Sequence, residues 1–190
     1  MKTTSIMIVG VGGQGSLLAS KLLGRLLVDE DYDVKVSEVH GMSQRGGSVV
    51  TYVRFGDKVY SPIITDGEAD IIISFEKLEA GRNANFLKKD GKIVVNTQQI
   101  DPMPVIIGAA QYPENVLDEL TAKGVSVDAL DALSLAEEAG SVKAVNIVLM
   151  GKAAKYFDIP KERWITAIEN TVAEKFVEMN KKAFELGYNS

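Results

Sequence analysis

Two glycine-rich segments hold the residues whose types and spacing could do chemistry. The first, Gly10-Val11-Gly12-Gly13-Gln14-Gly15, satisfies the G-x-G-x-x-G spacing. In that pattern the first glycine permits a tight turn, the second lets backbone approach a ligand, and the third lets a helix approach a strand. A helix opening behind it offers unpaired N–H groups and the positive end of its dipole to an anion. The second segment, Gly41-Met42-Ser43-Gln44-Arg45-Gly46-Gly47-Ser48, sets two glycines behind an arginine, among Ser43, Gln44 and Ser48. Successive N–H groups in glycine-permitted conformations form an anion-binding nest, and a guanidinium adds a bidentate contact to phosphate or carboxylate. Both loops therefore suit the cradling of an anion. Each also has a plainer reading: chain geometry for the first, a solvated turn for the second.

Four other groups are candidates. Glu38 lies at about the distance past Gly15 where a dinucleotide site places its ribose-binding acid. That keeps open a free-standing NAD- or FAD-binding oxidoreductase. His40, the single histidine, could act as acid or base, yet no partner close in sequence completes a triad. Asn146 stands in the apolar run Val145 to Met150, where a buried amide either satisfies backbone or reaches a ligand. Asp128 and Asp131 are near neighbours, but Asp131 reads better as a helix cap than as half of a carboxylate pair.

The elements that must position these groups follow from periodicity. Ser5 to Val9 reads as a fully buried strand, and Leu18, Leu22 and Leu26 mark a helix behind the first glycine loop. Val34 to Val39 reads as the next strand, closing a βαβ unit. Ser48 to Phe55 and Lys58 to Tyr60 flank Gly56-Asp57, a two-residue hairpin signal. Ala69 to Ser74, a helix over Phe75 to Leu87 ended by Asp90-Gly91, and Lys92 to Asn96 form a second βαβ unit. Val105 to Ile107 reads as a short strand, Glu114 to Lys123 as a helix capped by Gly124, and Val125 to Ala129 as the last strand. Ser134 with Glu137 fits a capping box, and Gly140 ends that helix. A helix over Val142 to Phe157 and one long helix from Ile165 to Leu186, closed by Gly187, complete the chain. Both glycine loops should leave the same sheet edge and lie side by side, where open α/β sheets bind ligands.

Composition narrows the functions. At 190 residues, 46% hydrophobic and 25% charged, the chain fits one globular α/β domain with helices on a mostly parallel sheet. The net charge of −5 argues against broad nucleic-acid binding. Zero cysteines exclude disulfides, a cysteine nucleophile and any thiolate-held zinc or iron–sulfur cluster on this chain. One histidine excludes a multi-histidine metal site. No apolar run reaches membrane-helix length and no signal-peptide core is present, so the expectation is a cytoplasmic, soluble protein.

Three stretches together resemble a known family: Gly10 to Gly15, Ser37-Glu38-Val39-His40-Gly41-Met42-Ser43-Gln44-Arg45-Gly46-Gly47-Ser48-Val49, and Asn146-Ile147-Val148-Leu149-Met150-Gly151. They resemble the gamma-type subunits of 2-oxoacid:ferredoxin oxidoreductases, and in particular the beta subunits of indolepyruvate:ferredoxin oxidoreductases. The second stretch is the specific one. The likeness covers nearly the whole chain, and implies a single gamma-type catalytic domain over residues 1–190. It implies a Rossmann-like three-layer α/β domain with a mostly parallel sheet, a β-hairpin insertion and a C-terminal helical segment. It further implies a complex that oxidatively decarboxylates an arylpyruvate to an acyl-CoA and reduces ferredoxin. Thiamine diphosphate, Mg and iron–sulfur clusters would sit on a large partner subunit, with coenzyme A as co-substrate. Gly10, Gly12, Gly13, Gln14, Gly15, Ser43, Arg45, Gly46, Gly47, Ser48 and Asn146 are then the candidate binding residues, with no catalytic residue and no metal ligand on this chain. The alternatives are the dehydrogenase and a non-catalytic interaction domain. An isolated chain could self-associate through its apolar first and last helices.

Overall fold

The computed structural model describes residues 3–41 and 47–190. A six-stranded sheet runs in the order β2-β3-β1-β4-β5-β6. Its strands are β1 (Thr4–Val11), β2 (Asp33–His40), β3 (Ser48–Gly56), β4 (Ala69–Ser74), β5 (Leu87–Asn96) and β6 (Ser126–Leu130). The helices are α1 (Ser16–Asp29), α2 (Lys77–Asn83), α3 (Met103–Ile106), α4 (Val116–Ala122), α5 (Ala132–Ala139), α6 (Val145–Ala154), α7 (Lys161–Thr171) and α8 (Val177–Asn189). β1, β4, β5 and β6 are parallel, whereas β3 is antiparallel to both β1 and β2.

Alternation along β1 sorts the core. Ile6 and Ile8 face the layer built by α1 and α5 to α8, while Met7 and Val9 face α2 and α4. Strands covered on both faces are apolar almost throughout, as parallel strands between helix layers must be. Among the described residues, no helix is long and apolar enough to cross a membrane.

Several expected elements are different in the structure. β2 does not neighbour β1, because β3 inserts between them. No hairpin forms at Gly56-Asp57, and Lys58 to Tyr60 is not a strand. The reason is that both edges of β3 are already hydrogen-bonded, one to β1 and the other to β2. Val59 instead donates its N–H to the Asp33 carboxylate at 2.8 Å. The helix after β4 is shorter than its periodicity suggests, and Leu87 already belongs to β5. Asp90-Gly91 lies within that strand, where pairing shifts register between Ala69 and Ile71. Val105 to Ile107 is not a strand: Met103 to Ile106 is a short helix with proline in its first turn. The cap of α5 is Asp131, whose carboxylate accepts the Ser134 N–H at 3.1 Å, so the Ser134–Glu137 capping box is not used. The apolar run after Gly140 opens with a 3₁₀ turn at Val142–Ala144, and α6 is buried on all sides rather than along one stripe. The expected long last helix is two helices, parted by extended backbone at Val172 and Ala173. Two β-branched residues, Thr171 and Val172, stand at that break and weaken the helix there. Gly187 does not close α8; it lies inside the helix, packed on α6.

At the far end of α6, Asp128 on β6 accepts from Tyr156 and pairs with Lys152 at 3.1 Å. Burial alone would raise the Asp128 pKa, but the Tyr156 hydroxyl and the Lys152 ammonium outweigh it and hold the carboxyl below its usual range. Burial, then the Asp128 carboxylate, pushes the Tyr156 phenol up to about 12. The signs define two limbs. The Asp128 contribution is present above its unfolded value of about 4 and lost as pH falls below it. The Tyr156 contribution is present below about 10 and lost as pH rises through about 12. Tyr156→Phe should therefore lower the Tm at pH 7, by an amount equivalent to about 1 kcal/mol for a part-exposed pair. That gap should close above pH 10, as melts of both proteins across the range would reveal.

Candidate functional site

β1 and β4 are adjacent and parallel, but their chains leave to opposite faces, β1 to α1 and β4 to α2. This is a topological switch point, and a crevice opens there at the carboxyl ends of the strands. The first glycine loop forms its floor.

That loop is tightly tied. Gln14 folds back so that its Oε1 accepts the Val11 N–H at 2.7 Å, and its Nε2 donates to the Phe75 carbonyl at 3.1 Å. Gly10 makes room for this: a Cβ there would lie 2.9 Å from both Gln14 Oε1 and Phe75 Cβ. Gly15 adopts φ +86, and a Cβ on it would meet Asn146 Nδ2 at 2.7 Å. Asn146 is buried, donates to the Gly15 carbonyl at 3.2 Å and accepts the Ile147 N–H at 2.9 Å. Its amide is thus a buttress for the loop, with both polar atoms engaged by protein. Among the described residues no side chain caps α1, and no acid stands in its first turn, an opening that suits an anion.

The two glycine loops do lie side by side, since Gly12 donates its N–H to the Gly47 carbonyl at 2.9 Å. Ser43, Arg45 and Gly46 lie outside the described residues. Ser48 is turned inward: its hydroxyl donates to Glu79 Oε2 at 2.6 Å, and Arg82 holds the other oxygen at 2.7 Å. Glu38 accepts from Thr51 at 2.9 Å and is separated from β1 by β3. Among the described residues, Glu38 therefore does not stand beside the β1 loop as a ribose-binding acid would, and the dinucleotide reading loses that feature.

The crevice has a volume of about 530 Å³. Gly13, Gln14 and Gly15 line one side, with Gln98 beside them. Ile100, Leu133, Val142 and Val145 make an apolar wall, and Lys143 adds a cation. Lys143, Gln98 and the apolar wall were not legible as a site. They come from the ends of β5 and β6 and the approach to α6, and only the sheet order brings them to the Gly10 loop. The arrangement suits a ligand with an anionic group and an apolar portion.

Residues 5–190 match the family model for pyruvate ferredoxin/flavodoxin oxidoreductase. The chain belongs to this family. The indolepyruvate oxidoreductase subunit IorB of Thermococcus kodakarensis is 45% identical over 98% of this chain and 95% of its own length. The subunit of the same name from Pyrococcus horikoshii is likewise 45% identical, over 98% and 95%. The crystal structure of pyruvate oxidoreductase subunit PORC from Thermotoga maritima has the same fold, with a TM-score of 0.75 at 18% identity, over 100% of this chain and 97% of that one.

This family member cannot hold an iron–sulfur cluster through thiolates, because its sequence has no cysteine. Among the described residues, no three His, Asp or Glu side chains converge as metal ligands either.

Proposed function

We propose that this chain is the small subunit of an indolepyruvate-type 2-oxoacid:ferredoxin oxidoreductase of the cytoplasm. The observation that carries this reading is its end-to-end likeness, at 45% identity, to indolepyruvate oxidoreductase subunits. In this reading the complex converts arylpyruvates to arylacetyl-CoA and passes electrons to ferredoxin. A large partner subunit carries thiamine diphosphate, Mg and the iron–sulfur clusters. The small subunit supplies no catalytic side chain and is inactive alone. Its part is the crevice at the Gly10 loop, which together with Arg45 binds phosphate groups of coenzyme A. The α1 N-terminus and Lys143 support that assignment, since each presents positive potential to the same space.

The test is reconstitution with the co-purified large subunit under anaerobic conditions. Viologen reduction should require both chains, an arylpyruvate and coenzyme A. In that assay Arg45→Ala should raise the KM for coenzyme A about 10-fold, the worth of one charge-assisted hydrogen bond. Activity of the isolated small chain, or tight NAD binding by it, would refute the subunit reading. An unchanged KM in the variant complex would refute the phosphate contact.

A further inference from the structure

We infer that the side-chain amide of Gln98 is a ligand-binding donor of the crevice, held by the fold with its Nε2 directed away from the protein's own donors. The inference rests on the anion-crevice reading above and names a residue of that same site.

Hydrogen-bond logic carries it. A backbone N–H can only donate and a carbonyl oxygen can only accept. Val11 N–H donates to Gln14, which therefore turns its oxygen there and its NH₂ to the Phe75 carbonyl. Ala132 N–H donates to Asn96 Oδ1 at 3.1 Å, so Asn96 also turns its NH₂ to Phe75, at 3.2 Å. Both amides thus present NH₂ groups to Gln98. Gln98 must answer with oxygen, and its Oε1 accepts from Gln14 at 3.4 Å and from Asn96 at 3.3 Å. Three backbone groups, at the end of β1, just after β4 and at the start of α5, therefore orient an entire amide chain. The Gln98 Nε2 donors are left with no protein partner among the described residues, on a residue that lines the crevice. With Lys143 and the α1 N-terminus sharing the space, the matching group is an anionic acceptor oxygen, as on a phosphate. Asn96, fully buried, is a positioning residue for this donor.

Gln98→Glu is the discriminating variant. It keeps an acceptor for Gln14 and Asn96 but replaces the outward NH₂ with a carboxylate oxygen. In the reconstituted complex, the Kd for coenzyme A, titrated without 2-oxoacid, should rise about 30-fold. The Tm should stay within about 2 °C of wild type. Inorganic pyrophosphate should compete with coenzyme A in the wild type and lose that ability in the variant. A wild-type Kd overturns the inference. If Arg45→Ala weakens coenzyme A binding and Gln98→Glu does not, the anion-crevice reading stands and the Gln98 assignment falls; if neither does, both fall. Should Gln98→Glu lower the Tm by more than about 5 °C, Gln98→Ala decides, with an expected Kd increase of about 5-fold. An unchanged Kd there overturns the inference equally.

Discussion

Gly187→Ala is expected to cost about 3–5 kcal/mol of folding stability, close to the upper end for a single added methyl. A Cβ on Gly187 would lie 1.9 Å from the Val148 carbonyl oxygen, and one on Gly151 would lie 2.1 Å from the Phe184 carbonyl oxygen. The contact is reciprocal: α6 and α8 each set a glycine against the other's backbone. A clash with a side-chain tip can relax by a rotamer change, but a clash with a carbonyl can relax only by moving a helix. Neither helix has room to move. α6 is buried throughout its length, and Val148, Leu149, Ala183 and Phe184 around the crossing are fully buried. Parting the helices would open voids on both sides of the contact. At this chain length the loss corresponds to a Tm lower by roughly 10 °C or more. Gly24 is the internal comparison. It lies inside α1, and the nearest neighbour of a Cβ there is Val36 at 3.8 Å, ordinary contact. Gly24→Ala should leave stability unchanged or raise it by up to ~1 kcal/mol through helix propensity. Thermal and urea melts of the two variants side by side would settle the matter. Equal effects would mean that the α6–α8 crossing is softer than its geometry indicates.

Gly187 also shows how far a sequence can be read. A glycine near the end of an amphipathic stretch carries the signal of a helix stop, and nothing local separates a stop from a close approach. The difference lies in the partner helix, thirty-odd positions away in the chain. The same limit governs the sheet. Each strand around the glycine loops was legible from its apolar run, and Gly10 to Gly15 from its spacing. The insertion of β3 between β1 and β2 was not, because periodicity specifies which face a strand buries and says nothing of its neighbours. The all-round burial of α6 was not legible either: Val142, Val145, Leu149 and Ala153 read as one apolar side of a helix, and spacing alone does not say that the remaining faces are covered too. The candidate site divides along the same line. Its glycines are a contiguous motif. Gln98, Lys143 and Asn96 are single polar residues whose meaning arises only when the ends of β1, β4, β5 and β6 meet at one edge.

Glu76→Ala should be the second severe variant, and it should act on the crevice as well as on stability. Glu76 is 1% exposed and precedes α2, where its carboxylate accepts the Glu79 N–H at 3.0 Å as a helix cap. The same carboxylate accepts the Ile100 N–H at 3.1 Å and the Tyr112 hydroxyl. Truncation to alanine leaves these donors buried or part-buried without an acceptor, and removes a negative group from the positive end of a helix. About 3–5 kcal/mol is the expected loss, the range for stripping one member from a buried charged network. Glu76→Gln keeps the shape and one acceptor oxygen, and should cost less, about 1–2 kcal/mol. Tyr112 offers a readout that global destabilisation would not mimic. Burial, then the Glu76 carboxylate, holds its phenol well above the ordinary tyrosine range. Removing the carboxylate should bring that ionisation down, visible as one more phenolate in an alkaline absorbance titration of the folded protein. Ile100 connects this network to the ligand site, for its N–H is tied to Glu76 while the residue itself lines the crevice two positions beyond Gln98. The segment that presents Gln98 is therefore anchored on one side by Asn96 and on the other by Glu76. Loosening the second anchor should weaken coenzyme A binding in the complex even at temperatures where Glu76→Gln remains fully folded. Wild-type binding by a folded Glu76→Gln complex would show that Asn96 alone suffices to hold the amide in place.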